Sequence, residues 1–284
     1  VAALHFGEAL PRVRGGTAAS DGVERYKLSG GTQSLVEPMV AALGGTTGGQ
    51  LMTGARLAVV RRQGRGFVLE FEGMDAVEVD IVLLGLPLPA LRQVQFQGVD
   101  LPTSLETFIE AAGMGVHATI VAGFNGTPWR DAGFDGEVLS NAGLQTCWDS
   151  NLLQQGDGAL TFLLGGEAAA ATDPNAAEAM ANTFTAQTAP LFPGLSSARN
   201  GTAWAINWAQ EAGFGGSYSC FNRGQYTAAM DHLYFEGDEE ERQVAFVRNL
   251  GFIGEAFSGD YWGYMEGAVQ TGWLAAQHVV DELV

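Results

Sequence analysis

The stretch LGFIGEAFSGDYWGYMEGAVQTGWLAA, residues 250–276, holds a strand, a loop and a helix in that order. Phe252 and Ile253 close a short apolar run that predicts a buried strand. Gly254-Glu255-Ala256 follows at the strand's C-terminal end, where open α/β sheets place their ligands. Residues 257–262 read as a loop leading into Gly263. From Tyr264 on, the spacing of Ala268, Val269, Gly272, Ala275, Ala276 and Val279 is helical. Small residues on that face let a helix begin close to something flat, or to another backbone. The helix N-terminus offers free N–H groups and a positive partial charge, suited to an electron-rich or anionic ligand edge.

The rest of the chain frames this segment. With 284 residues and 46% hydrophobic content, it can support one large or two modest cores. Forty glycines point to many tight turns and close backbone approaches. Net charge is −18, with 13 arginines and the single lysine Lys27, so nucleic acid and anionic membrane surfaces are poor partners. No apolar run reaches the roughly 18 residues that a membrane-spanning helix needs, and a soluble chain is expected. Cys147 and Cys220 form neither a metal motif nor a disulfide framework. The chain opens on Val1 instead of methionine, from which processing upstream is expected.

Residues 1–28 read as the end of a helical region and a connection. Gly30-Gly31 then opens a helix with apolar spacing at Leu35, Met39, Val40 and Leu43, which Gly44-Gly45 stops. Strands follow over 57–61 and over 67–72, the second with the alternation of a half-buried strand. Residues 77–86 end in the run Ile81-Val82-Leu83-Leu84-Gly85-Leu86, which predicts a strand buried on both faces. Leu105, Phe108, Ile109 and Ala112 mark one helical face, and residues 117–124 a strand. Alanine-rich helical sequence occupies 168–171 and 176–183. The acidic run at 236–241, closed by Arg242, reads as a solvated helix start.

Gly254-Glu255-Ala256, then Trp262-Gly263-Tyr264-Met265-Glu266-Gly267-Ala268-Val269 and Gly272, resembles the C-terminal flavin-contacting segment of the flavin-containing amine oxidase family. A second stretch, Asn207-Trp208, Glu211 and Gly215-Gly216-Ser217-Tyr218, is similar in order to the monoamine oxidases. The resemblance implies an α/β (α+β) fold, an incomplete form of the two-domain FAD-binding architecture. It implies a connection over 1–28, an FAD-domain portion with a β-meander over 29–96, a substrate domain over 97–215 and a C-terminal FAD-domain portion over 216–284. Tyr218 and Tyr264 match the two walls of the family's aromatic cage, and Trp208 an aromatic packed close to the isoalloxazine. Val60, Gly254, Glu255, Ala256, Trp262, Gly263, Tyr264, Met265 and Ala268 fall where the family contacts FAD. Ser217 stands where some members carry the cysteine bonded to the flavin; serine cannot form that thioether, so non-covalent FAD is expected. Thr119 stands where the family often has a lysine that holds a water near the flavin's reactive nitrogen. His117, two residues earlier on the strand, shares its face.

The family's nucleotide-binding start is a strand, a Gly-x-Gly-x-x-Gly turn and a helix. Nothing in this sequence fits it; Gly213-Phe214-Gly215 lies in the wrong place. Without that loop the diphosphate of FAD would be buried with its charge unpaired. A second polypeptide carrying the segment is therefore expected, either a separate subunit or a cleavage product. The implied reaction is oxidation of an amine C–N bond to an imine, on a small-molecule amine. Thr119 leaves open an oxidase or a dehydrogenase with another electron acceptor. A non-catalytic subunit of a flavoprotein complex and a desaturase or isomerase of the same fold are the alternatives. No metal is expected.

Overall fold

The computed structural model describes residues 28, 31–45, 49–141, 143–151, 154–237 and 243–283. The connection expected before Leu28, Gly30 of the Gly-Gly turn and residues 238–242 of the acidic run lie outside the described residues. In chain order the strands and the four longer helices are α1 (Gln33–Gly45), β1 (Leu57–Gln63), β2 (Gly66–Phe71), β3 (Val77–Val79), β4 (Val82–Leu84), β5 (Gln95–Gln97), α2 (Thr103–Ala111), β6 (His117–Phe124), β7 (Val138–Leu139), β8 (Thr146–Asp149), β9 (Gly158–Gly165), α3 (Ala177–Thr188), β10 (Arg199–Asn207), β11 (Phe246–Val247), β12 (Leu250–Phe252) and α4 (Met265–His278). The architecture is mixed α/β, as expected.

The chain divides into two compact units. One comprises residues up to Gly54 together with Ala118–Asn207. Its sheet runs β10-β6-β9-β8-β7, with β6 paired antiparallel to β10 and β8 to β9. Phe124, Trp129, Leu160 and Phe162 are fully buried there. Each such side chain contributes about 1.5–3 kcal/mol by leaving water. Asp149, almost fully buried, accepts from Trp129 Nε1 at 2.8 Å and Arg130 Nε at 2.6 Å, and its other oxygen from Asn151 N at 2.8 Å. In α1 the helix forms as its spacing predicts, but Leu35, Val36, Met39, Val40 and Leu43 are all exposed among the described residues.

The other unit comprises Ala55–His117 and Trp208–Val284. β1, β2 and β3 form an antiparallel meander, and β5 joins β1 in parallel. A second sheet runs β11-β12-β4, with β12 parallel to β4. The apolar run at 77–86 is not one strand buried on both faces: it breaks at Asp80, β3 joining one sheet and β4 the other. The cause lies at Asn249. Its side-chain amide bonds the carbonyls of Arg65 and Asp80 and accepts from Arg62 Nη1 at 2.7 Å, pinning the chain between the two strands. Leu83 on β4 is half-exposed, so only one face of that strand is buried. The core is continuous through Val60, Phe67, Leu84, Phe108, Phe252, Phe257 and Leu274. Phe257 stacks edge-on against Phe108 at 5.4 Å and lies 5.7 Å from Phe252. That cluster anchors the turn after β12 and one face of α4.

Candidate active site

β12 ends at Phe252, and the chain turns at Gly254 with φ 120° and ψ 171°, backbone angles open essentially to glycine alone. Thr271 Oγ1 on α4 accepts from Gly254 N at 2.9 Å and so fastens the turn to the helix behind it. Ala256 points into the core, leaving Glu255 to reach outward. Its carboxylate accepts three hydrogen bonds: from Ser219 N at 2.8 Å, Ser219 Oγ at 2.6 Å and Gly263 N at 2.7 Å. Ser219 directly follows Tyr218, and Gly263 directly precedes Tyr264. One carboxylate therefore fixes the backbone beside both tyrosines.

Tyr218 is also held from its other side. Residues 113–115, just before β6, pair with 217–220: Gly115 N donates to Tyr218 O at 2.7 Å, Ser217 N to Gly115 O at 2.9 Å and Cys220 N to Gly113 O at 2.8 Å. This brings the first residue of β6 against Tyr218. His117 Nε2 lies 3.2 Å from Tyr218 Oη, and the two rings meet edge-to-face at 4.9 Å and 81°. Burial pushes the Tyr218 phenol up to about 12, with smaller contributions from Cys220, Tyr264 and Glu255. Burial likewise holds the His117 imidazole below its ordinary value. Both groups are neutral around pH 7. Trp208 follows β10, donates its N–H to His117 O at 3.1 Å and packs edge-on against Phe214 at 5.6 Å. Ser217 Oγ is buried without a hydrogen-bond partner among the described residues.

Gly263 takes φ 82°, and a Cβ there would lie 3.5 Å from Tyr218 Cδ2, so the turn before α4 passes directly over that ring. Tyr264 is the N-cap of α4, and no side chain caps the helix. Tyr264, Met265, Val269 and Trp273 are exposed along its outer face. Trp262 turns inward, 5.3 Å from Phe221 and against the core. Val60 is fully buried in the middle of β1, flanked by Leu69 on β2 and Phe96 on β5. Thr119 lies on β6 opposite Ile206, in the other unit. The structure thus ties the backbone next to Tyr218 and Tyr264 to one carboxylate, that of Glu255, with Trp208 linked to Tyr218 through His117. Val60, Ala256 and Trp262 belong to the core beneath. The sequence offered one hint of Ser219, a small polar residue directly after Tyr218.

An open helix start, a glycine turn free of side chains and an exposed apolar helix face suit the flat ring end of a flavin. No Gly-rich strand-to-helix turn for a diphosphate occurs in the sequence. Among the described residues no cluster of side chains is arranged for a metal ion, and no helix is long and apolar enough to cross a membrane.

The family described as flavin containing amine oxidoreductase matches residues 9–280. Polyamine oxidase 4 of Oryza sativa subsp. japonica is 25% identical over 263 residues, covering 89% of this chain and 50% of its own length. Among solved structures, putrescine oxidase bound to putrescine superposes with a TM-score of 0.72 at 18% identity, covering 88% of this chain and 53% of that one. Cyclohexylamine oxidase from Brevibacterium oxydans IH-35A gives 0.68 at 21% identity, covering 80% and 48%. The chain spans about half the length of each of these relatives.

Proposed function

Because the chain belongs to the flavin containing amine oxidoreductase family, whose members use FAD, we propose that it supplies the substrate-facing part of an enzyme that oxidises the C–N bond of an amine to an imine. One observation carries the reading: the single carboxylate of Glu255 accepts from Ser219 N and Gly263 N, the backbone groups next to Tyr218 and Tyr264. When bound, the flavin supplies the chemistry by accepting a hydride from the carbon next to the nitrogen. The residues of this chain hold the amine. Two phenol faces flank its nitrogen and attract its cationic form, with a gain of roughly 0.5–2 kcal/mol. Trp208 closes the apolar side and limits water. The neutral amine, its proton passed to solvent, is the reacting form, so no side chain is assigned as a base, and the imine is hydrolysed after it leaves.

The FAD ring would rest against Gly254, Gly263, Tyr264, Met265 and Ala268, with the backbone of Ala256 and Trp262 beneath. Glu255 acts by shaping this turn. Val60 would meet the adenine end through its backbone. Ser217 in place of a thiol leaves the cofactor non-covalently bound. No dinucleotide-binding Gly-x-Gly-x-x-Gly turn occurs within these 284 residues, so the diphosphate of FAD needs a cradle that they do not contain. Thr119 removes the lysine-held water, so electrons pass to oxygen slowly or to another acceptor. The names of the rice relative and the putrescine-bound structure favour an aliphatic amine or polyamine substrate.

The test is anaerobic addition of putrescine, spermidine, benzylamine and cyclohexylamine to natively purified material. Bleaching of a flavin spectrum by one of them, lost in Tyr264→Ala, supports the proposal. A flavin that no amine bleaches, or a colourless preparation, overturns it.

A further inference from the structure

We propose that His117 is a positioning residue of the amine site: hydrogen-bonded and edge-packed to Tyr218, it orients that ring and, on protonation, weakens the ring's hold on a cation. The inference rests on the reading of Tyr218 as a wall of that site. It assigns a role to a residue that the family's functional pattern leaves unused here.

The geometry is specific. Residues 113–115 and 217–220 are zipped together by backbone hydrogen bonds, which fix Tyr218 relative to the start of β6. Two contacts then define the ring itself, the 3.2 Å approach of Nε2 to Oη and the edge-to-face packing at 81°. The hydroxyl contact fixes the tip of the ring, and the edge-to-face packing, which a turn about Cβ–Cγ would lose, fixes its face. Trp208 N, bonded to His117 O, steadies the imidazole's own backbone.

The same contact makes the ring responsive to pH. In its Nδ1–H tautomer the neutral imidazole accepts the phenol O–H at Nε2, leaving the phenol oxygen electron-rich and the ring face attractive to a cation. An imidazolium has no lone pair to accept with, so Nε2–H must donate to Oη. It then withdraws density from the ring and sets a positive charge beside the site. Burial keeps the imidazole neutral at pH 7, and no charged neighbour among the described residues contributes to that shift. Three other titratable groups bear on Tyr218: Cys220 beside it, Tyr264 at the start of α4 and Glu255 in the turn after β12. Comparison with His117→Gln separates the imidazole from all three.

The probe is tetramethylammonium, which has no proton to lose, so any pH dependence of its binding belongs to the protein. Its Kd is measured with the holoenzyme between pH 5 and pH 8. Affinity is expected to fall about two- to thirtyfold on the acid side, a loss on the scale of one cation–π contact. His117→Gln keeps a hydrogen-bonding partner and cannot gain the charge; its affinity stays flat and matches the wild type at pH 8. A flat wild-type profile, or the same acid loss in His117→Gln, overturns the proposal. A second readout needs no amine: the imidazole NMR signal of His117, assigned by its absence in His117→Gln, shifts in Tyr218→Phe. An unmoved signal overturns the pairing. A holoenzyme that shows both effects yet oxidises no amine overturns the catalytic reading and leaves the cation site standing.

Discussion

The backbone N–H groups of Ser219 and Gly263 bond the two oxygens of one carboxylate, that of Glu255, at 2.8 and 2.7 Å. Tyr218 and Tyr264 are the residues next to these two donors, so one side chain fastens the backbone next to both.

Glu255→Gln removes that control. An amide offers one accepting oxygen, and its NH2 would face one of the two N–H donors. Hydrogen bonds to a charged acceptor contribute about 1.5–3 kcal/mol, and one is lost outright. At roughly 2–4 °C per kcal/mol for a chain approaching this size, Tm falls by about 3–12 °C. The KM of the amine rises with it, because the cage widens. Calorimetry on the holoenzyme checks the first effect; an unchanged Tm would show that the three bonds contribute nothing net.

Two glycines of α4 respond in opposite directions. A Cβ at Gly267 would lie 2.3 Å from Tyr261 O and 2.9 Å from Ser258 Cβ, so Gly267→Ala must push the helix start off the 258–261 loop. A destabilisation of about 1–3 kcal/mol is expected, as for other overpacked sites. At Gly272 nothing lies within 4 Å, and Gly272→Ala stabilises by about 1 kcal/mol through helix propensity. Urea midpoints of the two variants test the pair. Equal shifts in the same direction would be inconsistent with this packing.

Stability depends on pH through the same tyrosine and histidine. His117 is depressed in the fold, so below its ordinary value of about 6.5 the unfolded chain binds the extra proton and stability drops as pH falls. Tyr218 is raised to about 12, so its contribution is complete below the ordinary value near 10 and is lost as pH rises from there toward 12. The buried Cys147 thiol, also raised, starts the alkaline loss at its own ordinary value of about 8.5, so urea midpoints should form a plateau between about pH 7 and 8.5. His117→Gln makes the acid limb shallower, leaving the share of His232, and Tyr218→Phe makes the alkaline limb shallower, leaving the shares of Cys147, Tyr226 and Tyr234. Unaltered limbs in both variants would remove these two groups as the cause.

Local pattern made part of this legible. Helical spacing from Tyr264 onward anticipated α4, which begins at Met265, and alternation anticipated β2. Pattern failed where tertiary contacts decide. The run at 77–86 reads as one strand because its side chains are apolar, yet Asn249, far along the chain, divides it. The spacing in α1 correctly gives a helix, while what covers its apolar side is no property of the segment. At the site, the motifs name Tyr218, Glu255 and Tyr264 separately. That Glu255 bonds the residue after Tyr218 as well as the one before Tyr264, and that His117 touches Tyr218, follow from pairings between segments distant in sequence.

Asp149 illustrates the same limit and yields the largest effect expected in the other unit. The sequence shows Trp129-Arg130 and Cys147-Trp148-Asp149 as unrelated pieces. The register of β8 on β9 puts the Asp149 carboxylate against Trp129 Nε1 and Arg130 Nε. The Asp149 side chain is 3% exposed and that of Arg130 28%, so the pair is largely removed from water. Asp149→Ala leaves a buried indole N–H unpaired and a guanidinium without its counter-ion. Breaking such a pair costs about 3–5 kcal/mol. The change should lower the stability of the unit formed by Ala118–Asn207 first. Hydrogen exchange resolves it: amides of β8 and β9 lose protection while those of β1 and β2 keep theirs. Uniform loss across both sheets would mean that the two units unfold as one.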